Sequence, residues 1–153
     1  FLAAILIAPT TALSQTWLGR CQMGECVHDD QTSRQVVGEG SATVPGELVL
    51  VTLRSAISDR PDTPAGALTW EAPSPVQVFC SPARPAFRTG DGGYTTLDLV
   101  TPADATTMVT TMYLRACHPD TALTDHPFTD ATRLGYRPYE TGTYESFKAL
   151  LKE

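Results

Sequence analysis

The stretch that decides the fold is Glu47-Leu48-Val49-Leu50-Val51-Thr52-Leu53-Arg54-Ser55-Ala56-Ile57. Period-two alternation puts Val49, Val51, Leu53 and Ile57 on one face and Thr52 and Arg54 on the other, which predicts a strand. Pro45-Gly46 marks the turn before it, and Asp59, Pro61, Asp62, Pro64 and Gly66 mark a loop after it.

Further strands are expected on both sides. Toward the N-terminus, Trp17 to His28 reads as a hairpin centred on Gly24. Asp29 to Arg34 reads as a polar loop, and Gln35 to Val37 as a short strand. Toward the C-terminus, Leu68 to Trp70 and Val76 to Cys80 read as strands. Ala86 to Arg88 and Tyr94 to Val100 flank the turn Gly90-Asp91-Gly92-Gly93. Thr106 to Cys117 is ambiguous. Met108 and Met112 suit a helix, but Thr106, Thr107, Thr110 and Thr111 favour extended backbone. Val109, Tyr113 and Cys117 also fall on one face at period two, so the segment is assigned to a buried central strand. His118 to Thr132 is expected to be a loop and Leu134 to Tyr139 an edge strand. Tyr144, Phe147, Leu150 and Leu151 recur at helical spacing, which predicts a closing helix over 143–152. Short strands punctuated by Gly and Pro, without strand–helix alternation, imply a mainly β fold. The expected form is a small antiparallel β-sandwich or barrel with a short C-terminal helix and two disulfides.

Composition agrees. The 153 residues suit one domain, and 22 of them are Thr, a residue at home in strands. The net charge of −6 argues against nucleic acid as a partner, because that role needs clustered Lys and Arg. Asn is absent, so no N-glycosylation sequon exists.

Residues 1–8 form an apolar run too short to span a bilayer, broken by Pro9. Ala12-Leu13-Ser14 offers small residues where a signal peptidase reads. Residues 1–14 are therefore read as a signal peptide that has lost its first residues, and 15–153 as a single exported β-rich domain. No later apolar stretch approaches membrane-spanning length, so no integral membrane segment is expected after signal removal.

Export directs the reading of Cys21, Cys26, Cys80 and Cys117. An even count in an oxidising compartment implies disulfides. Of three connectivities, Cys21–Cys26 across the hairpin and Cys80–Cys117 between distant segments are preferred. A zinc site drawing on these cysteines with His28 or His118 is disfavoured, because structural zinc uses tight ligand pairs.

Catalytic signatures are lacking. The chain has no Gly-x-Ser-x-Gly elbow, no Ser-x-x-Lys, no phosphate loop and no His-Glu-x-x-His. No cofactor is expected. The histidines sit beside carboxylates: His28 precedes Asp29 and Asp30, His118 lies two residues before Asp120, and His126 follows Asp125. A histidine oriented by a carboxylate can do acid–base or metal chemistry, so His118, Asp120 and His126 are the candidates for either. A second group is Arg84, Phe87, Arg88, Arg133, Tyr136, Arg137 and Tyr139, rich in the residue types favoured at interfaces. The expected function is a non-enzymatic periplasmic or secreted domain that binds a protein or envelope component, in the manner of an inhibitor or immunity protein. The alternatives are a small-molecule-binding β-barrel and a hydrolase or metal-dependent enzyme built on the loop histidines.

Overall fold

A computed structural model describes residues 15–103 and 106–152. The segment read as a signal peptide, 1–14, lies outside them. Seven strands form one antiparallel sheet in sequence order: β1 (Gln15–Gln22), β2 (Glu25–Glu39), β3 (Glu47–Ser58), β4 (Ser74–Cys80), β5 (Ala86–Arg88), β6 (Tyr94–Thr96) and β7 (Thr143–Tyr144). Three helices pack on it: α1 (Thr107–Cys117), α2 (Pro127–Arg133) and α3 (Phe147–Leu150). The mainly β class, the C-terminal helix and both disulfides agree with the sequence reading. The sheet's cover is helical rather than a second sheet.

Strand β3 organises both faces. Val49 and Val51 point to one side, with Val78 of β4 opposite Val49. There they pack with Leu97, Leu99, Tyr113, Leu114 and Ala131, beneath α1 and α2. Leu48 points to the other side, opposite Phe79, and packs with Ala86, Tyr94 and Leu150 beneath α3. The ring of Phe147 meets Phe79 edge-on at 5.2 Å. This double burial explains the unbroken apolar run from Leu48 to Val51. Ile57 does not share the cover given to Val49 and Val51, because its end of β3 runs beyond the helices and leaves it 55% exposed.

The turn between β1 and β2 is tighter than a four-residue loop. Met23 and Gly24 alone make it, with φ of 51° and 76°. Two positive φ values in a two-residue turn match the twist of antiparallel strands. Cys21 and Cys26 face each other across the ladder and form the first disulfide.

Several segments depart from expectation. Asp29 to Arg34 continues β2 instead of leaving the sheet. Its polar side chains are satisfied across the ladder: Arg54 Nε donates to Asp30 at 2.7 Å and Ser55 Oγ donates to Asp29 at 2.7 Å. Polarity therefore marks pairing here and not a loop. Thr107–Cys117 is helix α1, not a central strand. Thr110, Tyr113, Leu114 and Cys117 repeat at three- and four-residue spacing toward the core, and Thr111 Oγ1 donates to the Thr107 carbonyl at 2.9 Å. That back-bond satisfies a hydroxyl inside a helix and weakens the β preference of threonine as a guide. Leu134 to Tyr139 is irregular, and the loop before it contains α2, started by Pro127 at its first turn. Leu68 to Trp70 forms no strand but lies over β3, with Arg54 stacked 4.6 Å from the Trp70 ring centre. In the predicted closing helix, Thr143 and Tyr144 extend as β7 before α3 starts, capped by Ser146 Oγ accepting from Ala149 N.

The second disulfide joins Cys80, the last residue of β4, to Cys117, the last of α1. Replacing both cysteines with alanine should cost about 4 kcal/mol, because the cross-link closes a long loop in the unfolded chain. The same change at Cys21 and Cys26 should cost about 2 kcal/mol, for a much shorter loop. Urea unfolding of the two double variants should rank them in that order.

Candidate functional site

Two places concentrate chemistry. The first is a cleft of about 320 Å³ where the ends of β3, β4 and α1 meet. Its walls include Arg34, Glu47, His118, Tyr136 and the Cys80–Cys117 disulfide. Sheet register puts Arg34 and Glu47 there. Arg34 lies opposite Val51, on the side of α1, and its Nε donates to the Ala116 carbonyl at 2.7 Å. Glu47 starts β3 and approaches Arg34 Nη2 at 3.8 Å, a loose ion pair. Gly46 lets the backbone close on the cleft wall, since a Cβ there would collide with the Cys80 carbonyl oxygen.

His118 follows α1 directly, and its Nε2 lies 2.8 Å from the Tyr136 hydroxyl. Tyr136 donates onward to the Tyr113 hydroxyl at 3.4 Å. Tyr113 accepts from Ser81 N at 3.0 Å and donates to Ser81 O at 3.4 Å. The bond from His118 engages Nε2, and which partner donates in it is set by the tautomer of the ring.

Electrostatics hold the group neutral. Burial, and then the Arg34 charge, lower the His118 pKa below the ordinary histidine value. Burial raises the Tyr136 pKa, offset in part by its bond to Tyr113, and burial raises that of Tyr113 much further. A depressed folded pKa means that the unfolded chain takes up the His118 proton first as pH falls. This contribution to stability is complete above the ordinary histidine pKa and is lost as pH falls through the folded value. An NMR titration of the His118 ring should show a midpoint below the ordinary value, and Arg34→Gln should move it upward.

The remaining histidine candidates do not join His118. Asp120 is exposed, and His126 is exposed beside Asp125 at 3.5 Å. Among the described residues no group of three His, Cys, Asp or Glu side chains could hold a metal ion. His28 is buried on the other face of the sheet, with Nε2 2.8 Å from Ser58 Oγ. Ser58 donates its single proton to the Arg60 carbonyl at 2.7 Å, so it accepts from His28 and is not primed as a nucleophile.

The arginine and aromatic candidates disperse. Arg84 donates at 2.6 Å to the carbonyls of both Leu150 and Lys152 and so caps α3. Phe87 packs against the core, and Tyr136 is buried in the cleft wall. Arg133 binds Asp130 at 2.9 Å and the Ala122 carbonyl at 3.2 Å. Arg88 and Arg137 are exposed, and Tyr139 is half-buried.

The second place is the β1–β2 hairpin tip. Met23 stands fully exposed at its apex, and Gln22, Gly24, Glu25 and Cys21 around it are exposed too. Sequence reading does not single out Met23, Arg34, Glu47 or Tyr113. For Met23 the available signal is an apolar residue beside the turn glycine, where a polar one is usual. Compared with known proteins, the chain matches no family model, no curated protein and no solved structure. No helix among the described residues is long and apolar enough to cross a membrane.

Proposed function

We propose that this is a non-enzymatic domain of an oxidising, exported setting that binds a protein partner through the β1–β2 hairpin, in the manner of an inhibitor. The observation that carries the reading is the presentation of Met23. An unbranched, polarisable side chain is held entirely in solvent. The turn under it is two residues long, and the Cys21–Cys26 disulfide closes the ladder behind it. Such a tip is organised before binding, so little conformational freedom is lost on docking. Leu18 and Ile57 are exposed apolar residues at this end of the sheet, on opposite faces, at 44% and 55%. Two disulfides suit the oxidising compartment that the N-terminal apolar run implies.

The turn itself supports a role beyond folding. Met23 adopts φ of 51°, where Asn or Gly is favoured and a methionine is strained. A tip selected for stability alone would read Asn-Gly. Met23→Asn should therefore raise stability by about 0.5 to 1 kcal/mol through relief at φ > 0. The same change should weaken capture of the partner from an extract of exported proteins, with Lys148→Ala as the unaffected control. Denaturation midpoints and capture by the immobilised oxidised protein check the two halves. Equal capture by the wild-type and Met23→Asn proteins would remove the hairpin from the binding surface.

A further inference from the structure

We infer that the cleft between β2, β3 and α1 binds a small zwitterion of the amino-acid or short-peptide class. This assignment does not rest on the hairpin. It follows from the charges the cleft brings together. Arg34 uses Nε on the Ala116 carbonyl, which fixes the guanidinium plane, while its Nη2 is only 3.8 Å from Glu47, outside hydrogen-bond range. A fixed guanidinium with terminal N–H groups not engaged by Glu47 is suited to a carboxylate. Glu47 is the complementary group. Its side chain is 56% exposed and is held by no short bond to Arg34.

His118 adds a neutral polar group. Its Nε2 is engaged with the Tyr136 hydroxyl, which leaves Nδ1 as the ring nitrogen for a ligand. The cleft therefore offers one cation, one carboxylate and a neutral ring nitrogen. An anion alone would meet Glu47, and a cation alone would meet Arg34. A molecule carrying both charges satisfies each and keeps the local balance neutral. The disulfide, Pro82 and Leu134 supply an apolar wall for a side chain. The volume, about 320 Å³, is at the small end of ligand pockets.

The test uses glycyl-leucine as the probe, with its N-acetylated form carrying only the carboxylate and its C-terminal amide carrying only the ammonium. Amide shifts in the full oxidised chain are followed by NMR. Glycyl-leucine should shift Arg34, Glu47 and His118, and should bind about tenfold more tightly than either capped form, the effect of one lost charge contact. Glu47→Gln should weaken glycyl-leucine by about the same factor while leaving the N-acetylated form no worse than in the wild-type protein. That comparison is internal to one folded variant, so a general loss of structure would not mimic it. Equal affinity for the three forms, preference for a capped form, or no shift at these residues would overturn the assignment.

Discussion

Helix α1 is pinned to strand β4 at two neighbouring points, and the arrangement of the molecule depends on that attachment. The Cys80–Cys117 bond joins the last residues of the two elements. One residue further on, Ser81 gives its N–H to the Tyr113 hydroxyl and receives that hydroxyl's proton at its carbonyl. Tyr113 is wholly buried, so its oxygen needs those partners. The covalent bond restricts the unfolded chain, and the hydroxyl fixes where along β4 the helix lies. Together they hold α1 over Val49, Val51 and Val78 and complete that face of the core.

The same attachment builds the cleft. His118 comes immediately after Cys117, so the disulfide places it, and Tyr136 reaches it by packing edge-on against Tyr113 at 5.6 Å between ring centres. Arg34 then ties the end of α1 to β2 through the Ala116 carbonyl. Structure and candidate chemistry thus share residues. At the opposite end of β1, β2 and β3 the helices no longer cover the sheet, and the hairpin tip projects with its own disulfide. The division separates a pinned, covered region from an exposed one stiffened locally.

Much of this was legible in the sequence where burial follows hydrophobic alternation. Strands β3 and β4, the Gly24 hairpin, both cysteine pairs and the C-terminal apolar spacing could be read directly. The failures lie with polar groups whose partners the sequence does not display, some distant along the chain and some one helical turn away. Asp29 and Asp30 look like a loop until Ser55 and Arg54 are set opposite them by the β2–β3 ladder. The threonines of α1 look like a strand until the helical spacing of Thr110, Tyr113 and Leu114 is matched to the sheet. For the cleft, His118 and Tyr136 were each singled out, in different roles. Their 18-residue separation hid the bond between them. Arg34 and Glu47 were invisible because only the register of β2 on β3 brings them to the same mouth.

The pinning of α1 is tested most directly by amide hydrogen exchange in the wild-type protein and in Tyr113→Phe. The Ser81 amide is the reporter, since it is shared between the Tyr113 hydroxyl at 3.0 Å and the Phe79 carbonyl at 3.1 Å. The account predicts strong protection of Ser81 in the wild-type protein and clearly faster exchange in Tyr113→Phe, where only the Phe79 carbonyl is left. Loosening should extend to the C-terminal turn of α1, while the β3–β4 ladder amides stay protected. Unchanged protection at Ser81 would contradict the claim that this hydroxyl sets the helix on the sheet.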